Sequence, residues 1–297
     1  MNVRQVEIFC AVMQTGSVAG AARLLAVSPP AVSRMLRHTE DQLGYALFER
    51  RAGRLVPTPE AGALYTEAEA ALGGLKRVSS LAEGLRNGSP SVLRVAASPS
   101  FGANLLPHAL MRFRRRSRQV VLDVNTTAHA SVVERLLLRQ ADLGLSPFRA
   151  DHPLLREELL GQFPMYAAIP EEWPLAREAV VGLQDLAALP LIGYASSTPI
   201  GALTVAHLEA HGIGRQPDVV VRYPMIACTF VDAGVGVAIV DAFMARDAHR
   251  WRIAFRPLST ALSTGVWMLR HDAHPLTQAG RNFERAIRQA LDTYRTG

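Results

Sequence analysis

Four residues between Ser28 and Leu43 could meet a nucleic acid from one face of a helix. Pro30, Ser33, Arg34 and Arg37 recur at i, i+3, i+4 and i+7, opposite an apolar stripe of Val32, Leu36 and Leu43. Small Ser33 lets such a helix sit deep in a groove. Arg34 can reach guanine O6 and N7 or a phosphate, and Arg37 suits a phosphate. Arg50, Arg51 and Arg54 surround a turn at Gly53 and suit DNA backbone or minor groove. Ser17 and Ser28 stand at expected helix starts, where a hydroxyl and free backbone N–H groups can hold a phosphate. An isolated face of this kind usually just meets solvent; the helix before it, the turn and the basic wing together favour double-stranded DNA.

A second set of polar residues follows extended runs. Ser98, Ser100 and Phe101 come after LRVAA, Thr127 and His129 after the next run, and Ser146 after DLGL. Tyr194, Ser196, Ser197 and Thr198 come after LIG, and Tyr223 and Met225 after DVVVR. Ligands of open parallel sheets sit beyond the carboxyl ends of strands, where the next helices present N–H groups to anions. Clustered hydroxyls with no Asp or Glu nearby in sequence suit a carboxylate-bearing small molecule, although each could also serve only as a helix cap.

Other chemistry finds no support. Gly234-Val235-Gly236-Val237-Ala238-Ile239 lacks the third glycine of a dinucleotide loop and precedes a strand rather than following one. His207 and His211 share a helical face, but the residues between them are not those of a zinc peptidase. No Walker A, G-x-S-x-G or C-x-x-C motif occurs. Neither a metal nor a cofactor is expected, and an enzyme is disfavoured.

Several elements must position these groups. Val6, Phe9, Cys10 and Met13 mark a first amphipathic helix stopped by Gly16. A second follows Ser17 with Ala21, Ala22, Leu24 and Leu25, and a third opens at Ser28-Pro29 and runs to about Leu43 and Gly44. This is the sequence form of a helix-turn-helix. Residues 49–58 read as a β-hairpin wing. From Pro59, Leu64, Ala68, Ala71, Leu75, Val78, Ala82 and Leu85 form an a/d series along roughly 33 Å of helix, a seam for a second copy. Polar residues 86–91 mark a boundary. Extended runs near 92–97, 120–124, 142–145, 166–169, 191–193, 218–222 and 236–240 then alternate with helical patterns, which argues α/β architecture with parallel sheets.

The expected plan is a winged helix-turn-helix at 1–58, a linker helix at 59–88 and a two-lobed α/β domain at 89–297. Its first lobe covers about 89–164 and 267–297, and its second about 165–266.

The 297 residues are 49% apolar, enough for sizeable cores, and carry a formal charge of +6. All but one of the 32 basic residues are arginine, so the total says little about partners. Position says more: residues 1–58 hold seven arginines against four acids, net +3. Cys10 and Cys228 lie in apolar runs, as reduced packing residues do. Glu7 interrupts any N-terminal apolar stretch, and Asp232 and Asp241 break the most apolar window, 225–245. A cytoplasmic location without membrane insertion is expected.

Together these residues resemble the LysR-type transcriptional regulators. The resemblance rests on FCAV at 9–12, GSVAGAA at 16–22, LAVSPPAVSR at 25–34, TEDQLGYALFER at 39–50 and a threonine and glycine after the wing. It is dense over about the first 65 residues; the linker heptads and ACTFVDAGVGVAIVD, similar to the family's V..GxGVxxxP stretch, extend it along most of the chain. Pro29 stands where the family commonly has a glutamine, and Thr39 where it has a leucine. EIFCAVMQTGS, FERRAGRLVPTPEA and AGVGVAIV are closest to members responding to amino acids and opines. The resemblance implies an effector domain like a periplasmic binding protein with a cleft between its lobes. It also implies a homodimer or homotetramer on an inverted-repeat promoter site, with RNA polymerase as a further partner. A transport component on the same two-lobed fold is the rival, disfavoured by the helix-turn-helix.

Overall fold

The first apolar stripe forms helix α1, Val3–Thr15. Asn2 caps it: its Oδ1 accepts from the Gln5 N–H at 3.0 Å and its own N–H donates to Gln5 Oε1 at 2.7 Å. Gly16 ends it at φ 65°, a left-handed conformation that glycine adopts without a Cβ clash. Ser17 accepts from the Gly20 N–H and opens α2, Val18–Leu24. Ala26, at φ 52°, turns the chain into α3, Pro29–Leu43. Ser28 takes the expected cap position, but its side chain makes no capping bond. Strands β1, Phe48–Arg51, and β2, Arg54–Pro57, pair antiparallel as the wing, and α4 follows as Pro59–Asn87.

The computed structural model describes residues 1–51, 54–87, 92–115, 117–246 and 248–295. The wing tip at 52–53, the boundary turn at 88–91, and the side chains of Arg51, Arg54, Ala82 and Leu85 lie outside the described residues. Apart from residues 138–140, the chain divides into two compact units at Ser89 and Pro90.

The first unit packs around Phe9, Val12, Ala21, Val32 and Leu47, all fully buried. Two polar groups hold the wing to the helices on either side of it. Glu40 accepts from the N–H groups of Leu47 and Phe48 at 2.7 and 3.1 Å. Thr58 donates to Ala46 O at 3.0 Å and accepts from Ala61 N at 3.2 Å, closing the wing and starting α4. Thr39 is buried where an apolar residue was expected. Its hydroxyl donates back to Met35 O at 2.8 Å, so the substitution leaves no unpaired polar group.

The second unit opens with β3, Val92–Ala97, a π-helical turn at Phe101–Leu105, and α5, Leu106–Arg114. β4, Val121–Thr126, α6, His129–Leu137, and β5, Leu143–Ser146, complete the first lobe's parallel part. The long β6, Leu155–Pro170, crosses to the second lobe. That lobe holds α7, Leu183–Ala187; β7, Leu191–Tyr194; α8, Pro199–Ala210; β8, Val219–Val221; and α9, Pro224–Asp232. It continues with β9, Val237–Asp241; α10, Ala242–Arg246; and β10, Ile253–Pro257. β11, Ser263–His271, returns to the first lobe, and α11, Gln278–Arg295, packs on it.

The sheet runs β4-β3-β5-β11-β6-β9-β7-β8, with β10 beside β6. It is mixed, whereas the alternation of elements predicts parallel sheets alone. β3, β4 and β5 are parallel, as are β7, β8 and β9, but β6, β10 and β11 pair antiparallel. The expected strand at 166–169 is only the end of β6. Its first half carries Arg156, Glu157, Glu158 and Gln162 and so lacks an apolar run. Ser263–Val266 pair with Pro164–Gly161, so the return crossing precedes β11.

Candidate functional site

α3 buries Val32 and Leu36 and leaves Pro30, Arg34 and Arg37 exposed, with Ser33 half-buried between them. Burial thus turns the helix so that its polar face is outward. Among the described residues, neither Arg34 nor Arg37 is held by an ion pair. The Ser17 hydroxyl, though engaged as a cap acceptor, keeps its proton to donate, and exposed Ser28 keeps its whole hydroxyl. Arg50 is exposed on β1.

The linker seam divides into two parts. Leu64 and Ala68 pack into the first unit's own core, where Tyr65 also meets Phe9 edge-on at 6.3 Å. They are therefore not free for a second copy, contrary to what the heptad pattern predicts; α4 uses its first turns to cover α1. Ala71 is exposed, as are Leu75 and Val78 at 48% and 66%.

In the second unit a cavity of about 360 Å³ gathers the carboxyl ends of all six parallel strands. Ser98, Pro99, Ser100 and Phe101 follow β3; Thr127, Ala128, His129 and Ala130 follow β4; and Pro147 and Phe148 follow β5. From the other lobe, Ser197, Thr198, Pro199 and Ile200 follow β7, Arg222, Tyr223 and Pro224 follow β8, and Asp241 ends β9; Thr264 joins from β11. The N-termini of α6, α8 and α9 meet there, and their dipoles favour negative charge. Gly201 is required for the α8 entry: a Cβ would lie 2.0 Å from Ala195 O.

Four expected ligand residues are not on this wall. Tyr194 is still within β7, buried, with its hydroxyl donating to Ile239 O at 2.8 Å. Ser146 is the last residue of β5 and fully buried; it stands 2.7 Å from His129 Nδ1 and accepts from Phe148 N, orienting the wall from behind. Ser196 is exposed outside the cavity, and Met225 packs into the second lobe's core. Burial lowers the His129 pKa, so its ring is neutral near pH 7.

Phe148, Ile200, Arg222, Thr264 and Asp241 escaped the sequence reading. Asp241 overturns the expectation of a wall without acids. It lies far from the hydroxyl clusters in sequence, and its signal was the acid standing where V..GxGVxxxP ends in proline. Asp241 Oδ2 accepts from Ser100 Oγ at 2.7 Å, and Oδ1 from the N–H groups of Phe243 and Met244. Burial raises its pKa, opposed by these bonds.

The His207 and His211 rings meet at the end of α8, with centroids 4.6 Å apart. His207 Nε2 is 2.8 Å from Thr260 Oγ1 and His211 Nδ1 is 2.8 Å from His207 O. Among the described residues no three His, Cys, Asp or Glu side chains gather as metal ligands, and no helix is long and apolar enough to cross a membrane. Both cysteines are buried and form no disulfide.

A winged helix-turn-helix joined to a two-lobed unit with a cleft defines the class of ligand-responsive transcription regulators. Residues 3–62 match the profile of the bacterial regulatory helix-turn-helix protein, lysR family, and residues 86–292 match the LysR substrate binding domain. The transcriptional activator protein LysR of Escherichia coli (strain K12) is 32% identical over 271 residues, 91% of this chain and 87% of its own length. The octopine catabolism/uptake operon regulatory protein OccR of Rhizobium meliloti is 31% identical over 273 residues, covering 91% and 89%. Full-length CbnR in complex with its target DNA superposes with a TM-score of 0.77 at 24% identity, over 98% of this chain and 100% of that one.

The chain belongs to the LysR family of transcriptional regulators. It is a DNA-binding regulator with a substrate-binding domain, not an enzyme.

Proposed function

We propose that α3 reads an inverted-repeat promoter site and that the cleft of the second unit binds a small carboxylate-bearing effector. The convergence of six strand ends on one cavity carries the effector reading, because the hydroxyls, the α6, α8 and α9 N-termini and Arg222 all favour an anion there. Ser98, Ser100, Thr127, Ser197, Thr198 and Tyr223 supply the polar contacts, with His129 as a neutral partner. A ligand touching both lobes changes their angle only as far as it binds one arrangement better. The likeness to OccR, a regulator of octopine catabolism and uptake, is in keeping with a carboxylate effector. The working form is a homodimer or homotetramer in the cytoplasm that acts on RNA polymerase at the promoter.

At the DNA, Ser33, Arg34 and Arg37 face the groove with Pro30, while Ser17, Ser28 and the wing arginines Arg50, Arg51 and Arg54 hold the backbone. Arg34→Ala should weaken specific binding by about 1–3 kcal/mol and relax selectivity at one base position. Quantitative footprinting on the chain's own upstream region measures this, and unchanged affinity would remove Arg34 from the contacts.

The α4 surface around Ala71, Leu75 and Val78, exposed among the described residues, pairs with a second copy. Val78→Glu should dissociate that pairing without unfolding the first unit, because Val78 is outside its core. Light scattering after size exclusion reads the mass; a variant at wild-type mass would argue against this seam.

A further inference from the structure

We infer that the cleft is built for a zwitterion, with Asp241 receiving a ligand's ammonium group while the hydroxyls and Arg222 hold its carboxylate. The inference rests on the cleft being the effector site and adds the ligand's second charge.

Asp241 is 6% exposed yet lines the cavity. Three hydrogen bonds reach its carboxylate, from Ser100 Oγ and two backbone N–H groups, which leaves acceptor capacity on Oδ2. Among the described residues no arginine, lysine or histidine pairs with it. A carboxylate shielded from water without a cation is costly, and a cation arriving with the ligand offsets that cost. The two backbone bonds make Asp241 the cap of α10, a role that asparagine fills as well. Capping alone does not call for a charge facing a ligand cavity.

The rest of the wall is complementary. Arg222 is the other fixed charge among the cavity's lining residues, since burial keeps His129 neutral. Ser98 and Thr264 are 8% and 5% exposed and line the cavity, and neither hydroxyl has a hydrogen-bond partner among the described residues. A wall with one buried anion, one cation and idle hydroxyls matches a molecule carrying both an amine and a carboxylate: an α-amino acid or its N-substituted derivative. A ligand bearing a carboxylate alone would set like charge against Asp241, unless Asp241 took up a proton.

The test uses the full chain and matched probes. L-α-amino acids are each compared with the 2-hydroxy acid of the same side chain, at about 10 mM, by thermal shift and then calorimetry. At least one amine-bearing probe should bind about 100-fold tighter than its hydroxy partner. Asp241→Asn should abolish that difference by weakening the amine-bearing probe alone. If hydroxy acids bind as tightly as their amine partners, the zwitterion inference is overturned and the carboxylate reading stands. If no probe of either kind binds, both are overturned. The wild-type comparison decides the matter even if Asp241→Asn does not fold.

Discussion

Phe243→Ala should lower the stability of the second unit by about 3–5 kcal/mol, the usual cost of removing a buried aromatic ring that its surroundings cannot refill. Phe243 is fully buried, two residues after Asp241. Its ring meets Phe101 at 4.9 Å, Phe163 at 5.2 Å and Tyr294 at 4.8 Å. These partners come from the π-helical turn, β6 and α11, so collapse around the void would need three elements to move together. Phe101 also lines the cleft, which makes ligand binding sensitive to the same loss. All three tryptophans, Trp173, Trp251 and Trp267, lie in this unit, so urea unfolding followed by tryptophan fluorescence reports on it alone. A midpoint within error of wild type, at equal slope, would contradict the packing argument.

The complementary substitution is Phe9→Ala. Phe9 is fully buried and packs against Phe48 of the wing at 6.0 Å and Tyr65 of α4 at 6.3 Å. It therefore holds α1, the wing and the linker helix in one core. The expected cost is again about 3–5 kcal/mol. A unit of this size has a total stability of only about 5–10 kcal/mol, so the head should be largely lost as a DNA reader. The tryptophan transition should not move. Gel shift and fluorescence on one sample separate the outcomes: full retention of selective DNA binding would show that the head does not depend on this ring.

The head was legible in the sequence because local chemistry there agrees with the tertiary contacts. Gly16 and Gly44 stop helices, Ser17 caps one, and Val32 and Leu36 fix which side of α3 is outward. The linker was only half legible: a heptad spacing cannot say whether the covering partner is a second copy or the chain's own α1, and Leu64 and Ala68 found α1. In the second unit β3, β5, β7 and β9, buried along most of their length, stood out as apolar runs, while β6 and β11 carry polar residues along their length and were missed or cut short. The cleft was found through strand ends, a topological rule that works from sequence. Its acid was not, because Ser100 and Asp241 meet across 141 positions of chain and nothing local to either residue announces the other.

The central claim is that this chain recognises its own DNA site through the face of α3. Fluorescence anisotropy with a duplex from its own upstream region, beside a scrambled duplex of equal composition, tests it most directly. Across about 50–200 mM salt, the upstream duplex should bind at least about 10³-fold tighter, and both affinities should fall steeply as phosphate contacts are screened. Equal affinity for the two duplexes, or binding indifferent to salt, would contradict the account.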